Sequence, residues 1–236
     1  MQHANTTALY LIGSDESGKG DSFGGIAVSA VLIHKDKINT LHQIGVGDSK
    51  QFNDYQIKAL VPKIKAAVHD QVTLSVDAKT YNQLVQSFKN VNVMLTFLHC
   101  KVYHQLLQQN KLTAQQCDIS IDEFANVKLF TQYTQKLTSL QNELKELVIP
   151  NHFLIRGESY SKVIAAASIL ARAAFIAQME QLSHQYGVQF PKGSAHGIVE
   201  ALHLLKTKRQ FHKFAQYSAV CKTTFKNVAS FLKQLA

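Results

Sequence analysis

Four carboxylates stand where apolar runs end. Asp15 and Glu16 follow Leu9-Tyr10-Leu11-Ile12, Asp122 follows Ile119-Ser120-Ile121, and Glu158 comes shortly after a run at 152–155. Strand ends hold side chains rigidly, and in a mixed sheet with parallel central strands such ends can meet on one edge. Carboxylates brought together repel unless a divalent cation neutralises them, and oxygen-only donors suit Mg²⁺ or Mn²⁺. Two such ions about 4 Å apart can activate a water and stabilise the leaving oxygen of an in-line displacement at phosphorus. Gly18-Lys19-Gly20 follows the first acid pair directly. Glycines on either side of a cation let backbone N–H groups come close to an anion. Spacing alone reaches metal-assisted hydrolysis or transfer on nucleic acid; each acid taken singly reads as a solvated loop residue.

The elements that must hold these residues follow from periodicity. Strands are expected over 8–14 and 24–33, joined by the acidic glycine-rich loop, and again over 72–76, 119–122 and 152–155. Helices are expected over 36–43, 54–69, 77–88, 91–109, 126–147 and 161–186. Asn53 is placed to cap the second of these, and Pro62 is expected to break or kink it. Further helices over 195–205, 207–215 and 225–235 form a basic tail, in which Lys206, Lys208, Arg209 and Lys213 interleave with Phe211 and Phe214. That tail reads equally as a nucleic-acid patch or a solvated face. The alternation of strands and helices predicts one α/β domain over residues 1–236, with a core at about 8–187 and a helical C-terminal part at about 188–236.

Composition narrows the setting. Hydrophobic residues make up 46% of the 236 and charged residues 17%, which predicts a packed core rather than disorder. The formal net charge of +9 favours a polyanionic partner, nucleic acid before anionic membrane. The three cysteines show no paired spacing, so buried free thiols are expected. Residues 1–7 carry no signal pattern, and no window reads as the run of about 18 apolar residues that spans a bilayer. A cytoplasmic protein without a membrane role, and a monomer, is the expectation.

At this point the ordered motifs resemble a known family. Gly13-Ser14-Asp15-Glu16-Ser17-Gly18-Lys19-Gly20-Asp21-Ser22-Phe23-Gly24 resembles the first signature of the type 2 ribonucleases H, and most of all ribonuclease HIII. Asp48-Ser49-Lys50 resembles that family's Asp-Ser-Lys loop. Tyr81-Asn82, Lys89-Asn90-Val91-Asn92-Val93-Met94-Leu95 and Leu98-His99 resemble a stretch of the HIII branch. Ile121-Asp122-Glu123-Phe124-Ala125 resembles its third-acid motif, and Gly157-Glu158 stands ten residues before Ser168 in the alanine-rich Ala165-Ala166-Ala167-Ser168-Ile169-Leu170-Ala171-Arg172. Phe190-Pro191-Lys192-Gly193 resembles a later HIII motif. The resemblance runs from residue 8 to about 227.

The resemblance implies an RNase H-like fold: a five-stranded mixed sheet, second strand antiparallel, flanked by helices, with a helical C-terminal extension. It implies a Mg²⁺- or Mn²⁺-dependent endoribonuclease that cuts the RNA strand of RNA–DNA hybrids, leaving 5′-phosphate and 3′-hydroxyl ends. Asp15, Glu16, Asp122 and Glu158 then take the four catalytic and metal-binding roles. Gly18, Lys19 and Gly20 would lie near the ribose 2′-hydroxyl, the group that marks RNA. Lys50 would contact the backbone near the scissile phosphate, and Ser168 stands either as a phosphate contact or as a packing residue. Glu123 points away from Asp122 by strand alternation.

Three departures accompany the match. The N-terminal substrate-binding domain usual in ribonuclease HIII is expected to be lacking. Gly24-Gly25 replaces a Gly-Pro pair and is expected to loosen the start of the second strand, and Arg156-Gly157 stands where Lys-Ala is common. Two other readings stand beside the hybrid endonuclease: ribonuclease HII-like nicking at single ribonucleotides in duplex DNA, and a nucleic-acid-binding module that has lost catalysis.

Overall fold

The computed structural model describes residues 8–140 and 147–234. In chain order the elements are β1 (Tyr10–Ser17), β2 (Ile26–His34), α1 (Ile38–Ile44), α2 (Asp54–Ala67), β3 (Asp70–Val76), α3 (Ala78–Phe88), α4 (Val91–Gln109), β4 (Cys117–Asp122), α5 (Val127–Leu140), β5 (His152–Leu154), α6 (Gly157–Tyr160), α7 (Lys162–Tyr186), α8 (Ile198–Arg209), α9 (Phe214–Ser218) and α10 (Lys226–Lys233). The helix expected over 126–147 lies outside the described residues at 141–146, as do residues 1–7 and the end of the helix expected to reach 235.

The sheet order is β3-β2-β1-β4-β5, with antiparallel and parallel pairs as expected. The loop 18–25 is too short for a parallel crossover. The Tyr10 ring at the start of β1 packs 5.3 Å from the His34 ring at the end of β2, as an antiparallel pair requires. β4 lies parallel between β1 and β5, with Ser14 paired to Ile121 and Asp122 to Leu154. β2 is buried from Ile26 to Ile33. A continuous apolar run rather than an alternating one suits a strand covered on both faces.

Side-chain caps set two of the helix starts. Asn90 caps α4, its side chain accepting from the N–H of Asn92 and Val93 at 2.8 and 3.3 Å. Asn53 and Gln56 form a reciprocal capping box at the start of α2, each bond 2.9 Å. Pro62 sits inside α2, and the helix runs on through it, contrary to the expected break. The capped start and the burial of Ile57, Leu60 and Ile64 on either side hold the helix across the missing N–H.

Other expectations also need correction. β1 does not stop at Ser14 but continues through both acids to Ser17. α8 starts three residues later than 195 and runs to Arg209, and the helix expected over 207–215 is replaced by a turn and α9. By length and composition α7 is apolar enough to cross a membrane, contrary to the expectation that no window would be; 67% of that segment is buried within the fold, as in an alanine-rich core helix. Gly25 does not loosen β2. A Cβ there would stand 1.9 Å from the Val76 carbonyl oxygen, and its N–H donates to Gln178 Oε1 at 2.6 Å, a bond proline could not make.

The residues group into two compact units. One comprises Met1–Glu16, Val28–Leu74 and Phe88–Ala173 and holds most of the sheet. The other comprises Ser17–Ala27, Ser75–Ser87 and Ala174–Ala236. Its core includes Phe23, Phe190, Leu202, Tyr217 and Phe231. Phe211 belongs to this core rather than to a surface patch, whereas Phe214 is exposed. At its centre Lys222 is fully buried, with Nζ donating to the Asp21 carbonyl at 2.5 Å and the Tyr81, Phe175 and Phe225 rings within 5.8 Å. The three cysteines are free and buried, as expected.

Candidate active site

Asp15 and Glu16 are consecutive in β1, so their side chains leave opposite faces of the strand. Asp15 faces α7 and is 6% exposed. It accepts a hydrogen bond from Ser168, and its Oδ1 also takes the Glu16 N–H at 2.7 Å. Glu16 faces α4, with Oε2 3.3 Å from His99 Nε2. One step past the Ser14–Ile121 pair in the parallel register, Asp122 ends β4 beside Asp15. The Gly157 N–H donates to Asp122 Oδ1 at 2.7 Å.

Glu158 is carried by α6, a single turn that periodicity does not separate from α7. Arg156 enters it in the left-handed region at φ 54°. A Cβ on Gly157 would come within 2.7 Å of Ile164 Cδ1, the movable end of that side chain, and 3.2 Å of Leu154 Cβ. The Glu158 carboxylate is 5% exposed. Its Oε1 lies 3.5 Å from Lys50 Nζ, and its buried Oε2 has no hydrogen-bond partner among the described residues.

The electrostatics follow from this crowding. Burial, then the neighbouring charges of Glu16 and Asp122, push the Asp15 carboxyl well above the usual carboxylate range, against the lowering bond from Ser168. Burial also raises Asp122, with the charges of Glu158 and Glu16 adding to it, while the Gly157 N–H and Lys50 lower it. All four carboxylates therefore act within one field. Among the described residues no three acids are drawn into a closed ligand cage. Buried like charges, an all-oxygen donor set and a carboxylate oxygen without a partner nonetheless fit a hard divalent cation.

The predicted Lys50 lies in a single 3₁₀ turn, Ser49–Gln51, capped by Asp48. That turn is fastened to α7 by Ser49 Oγ–Ser168 Oγ at 2.9 Å and by Arg172, whose guanidinium donates to the Ser49 carbonyl. Ser168 is thus committed to Asp15 and Ser49. Gly18, Lys19 and Gly20 follow β1 in the chain and belong to the second unit. Gly18 takes φ 97°, the Phe175 ring filling the space a Cβ would need, and nothing lies within 4 Å of where a Cβ on Gly20 would stand.

Tyr103, which the sequence does not single out, stands near the acids, as do Ser14, Ser49 and Arg172, which the sequence gives only as motif members. His99 stands out only as part of a motif. Strand and helix periods contain the signal, since Ser14 and Glu16 share a face of β1, and His99 and Tyr103 are four apart on α4.

Clustered acids at the ends of parallel strands in a five-stranded mixed sheet define a hydrolase of the RNase H-like class. A family model described as Ribonuclease HII matches residues 12–228. The ribonuclease HIII of Oceanobacillus iheyensis is 34% identical over 95% of this chain and 70% of its own length, and that of Ureaplasma parvum 30% over 96% and 68%. The crystal structure of Bst-RNase HIII in complex with Mn²⁺ superposes with a TM-score of 0.82 at 29% identity, covering 98% of this chain and 71% of that one. The RNase H3 of Aquifex aeolicus, at 23% identity and a TM-score of 0.67, shares the fold. The chain belongs to the ribonuclease HII family, on its ribonuclease HIII branch.

Proposed function

We propose that the chain is a metal-dependent endoribonuclease that cuts the RNA strand of RNA–DNA hybrids and leaves 5′-phosphate and 3′-hydroxyl ends. The observation that carries this reading is the convergence of Asp15, Glu16, Asp122 and Glu158 in one buried field, in a member of this family. These four are the catalytic and metal-binding residues of the proposal. Mg²⁺ or Mn²⁺ held there supplies Lewis-acid stabilisation at phosphorus and a water of lowered pKa.

The remaining roles belong to the chain. Asp15 and Asp122, side by side on β1 and β4, set the floor of the site. Glu158, with Oε2 unsatisfied, offers the donor most in need of a cation. Lys50, 79% exposed, is able to reach a backbone phosphate from its place beside Glu158. Ser168 supports Asp15 rather than the substrate. The backbone of the Gly18-Lys19-Gly20 segment, open to solvent at Gly20, is the reader of the ribose 2′-hydroxyl. The working form is a cytoplasmic monomer.

The test is a panel of all-RNA/DNA hybrid, duplex DNA with one embedded ribonucleotide, all-DNA duplex and all-RNA duplex, each with Mg²⁺ or Mn²⁺. Cleavage of the hybrid ahead of the others supports the proposal. Preference for the single ribonucleotide moves the chain to HII-like nicking. Tight hybrid binding without cleavage under either metal makes it a binding module.

A further inference from the structure

A continuous chain of hydrogen bonds runs into Glu16 from behind the sheet. The Tyr103 hydroxyl bonds Ser14 Oγ, Ser14 Oγ lies 2.9 Å from His99 Nδ1, and His99 Nε2 lies 3.3 Å from Glu16 Oε2. Ser14, His99 and Tyr103 are each fully buried. Phe124 stacks on the His99 ring at 5.4 Å, with the planes 23° apart, and so fixes its plane.

The direction of every bond follows from chemistry. A carboxylate only accepts, so Nε2 must carry a hydrogen. In a neutral imidazole Nδ1 is then the acceptor, and Ser14 must donate to it. That uses the single hydroxyl hydrogen of Ser14, so Tyr103 must donate to Ser14 Oγ. The opposite direction needs a doubly protonated ring donating to Ser14, with Ser14 donating to Tyr103. The buried phenolic hydrogen would then be left without an acceptor, because Tyr103 has no other hydrogen bond among the described residues. Burial also keeps the phenol a donor by raising its pKa.

We propose that the Tyr103–Ser14–His99 relay is a positioning device that locks His99 in the Nε2–H tautomer and so orients the Glu16 carboxylate for metal binding. The proposal rests on the reading of Glu16 as a metal ligand. None of the three residues touches substrate; they act through Glu16. A metal-ligating group held by a directed outer bond is a better ligand than a free one. The relay is also one-way. Without Ser14, Nδ1 loses its only donor and the ring is free to place its hydrogen there, presenting a lone pair to the Glu16 carboxylate.

The experiment uses the full chain without nucleic acid. Ring ¹⁵N shifts of His99, assigned against a His99→Gln spectrum, should show hydrogen on Nε2 and a bare Nδ1 in the metal-free protein. Mn²⁺ titration by calorimetry should then give affinity about tenfold weaker for Ser14→Ala and His99→Leu. His99→Gln, whose amide can donate to Glu16 and accept from Ser14, should recover most of the loss. A His99 ring protonated at Nδ1, or at both nitrogens, overturns the relay whatever the variants do. A correct tautomer with Mn²⁺ affinity within about twofold of the parent in Ser14→Ala and His99→Leu overturns its role. Neither readout depends on hybrid cleavage, so failure of the proposed activity shows separately.

Discussion

Lys50 Nζ stands 3.5 Å from Glu158 Oε1, yet the lysine is 79% exposed and the carboxylate 5%. The pair is thus an exposed cation beside a buried anion. An ion pair with one partner so exposed contributes little to stability. Lys50→Ala should change unfolding free energy by no more than about 0.5 kcal/mol in a denaturant titration. Hybrid binding should weaken nearly uniformly across sequences, and the slope of log affinity against log salt should fall by about one. An unchanged salt slope would remove Lys50 from the substrate path.

Asp15 is held against its own charge. Burial first, then Glu16 and Asp122, raises its folded pKa above the unfolded value. For an acid shifted upward, the contribution to stability is full below the unfolded pKa and is lost as pH rises through the folded one. Asp15→Asn should therefore melt higher than the parent in metal-free buffer, and the gap should widen as pH rises above about 4, the range of an unfolded carboxylate. Added Mn²⁺ should narrow the gap by stabilising the parent more. Thermal melts with and without chelator check both.

Ser168 ties Asp15 to the Ser49 turn through one hydroxyl. Ser168→Ala leaves the packing of α7 almost unchanged and removes a bond that favours the ionised carboxylate. The metal concentration for half-maximal activity should rise about tenfold, while the rate at saturating metal falls no more than about threefold. A loss of rate that metal cannot restore would instead make Ser168 a substrate contact.

Lys222 is a separate pH element. Burial lowers its pKa from 10.5 to about 8. The unfolded chain binds more protons between those values, so its contribution to stability rises with pH across that window. The buried thiols, pushed up to about 12 at Cys100 and Cys221, act in the opposite sense above about pH 9, so the comparison is kept at or below that pH. The stability of the parent relative to Lys222→Met should therefore improve by roughly 1–2 kcal/mol between about pH 7 and pH 9. Denaturant titrations at the two pH values give the double difference.

Much of this arrangement is legible in the amino-acid sequence. Apolar runs, continuous in β2 and alternating in β3 and β4, locate strands, Asn53 marks a helix start, and the ordered motifs contain all four acids. What the sequence hides has physical causes. The acids of β1 read as a loop because polar residues end an apolar run, but the strand continues through both of them to Ser17, beyond its last pair with β4 at Ser14. Pro62 reads as a break or kink, yet the capping box and flanking burial carry the helix through it. The turn of α6 is too short for any periodicity to announce. The Tyr103–Ser14–His99 chain joins residues 85 and 89 positions apart, so only the fold could assemble it.

In the proposed function, four convergent carboxylates make this chain a cutter of RNA in hybrids. That function is tested most directly with a hybrid carrying a labelled RNA strand, Mn²⁺ or Mg²⁺, and the parent beside Asp122→Asn, a variant that keeps the shape of the side chain and removes its charge. The parent should give internal cuts with 3′-hydroxyl ends and none in the matching all-DNA duplex, and the variant should lose at least about 10³-fold, as expected when charge stabilisation at the reacting centre is removed. Cleavage by Asp122→Asn at the parent rate, or equal cutting of the DNA duplex, would contradict it.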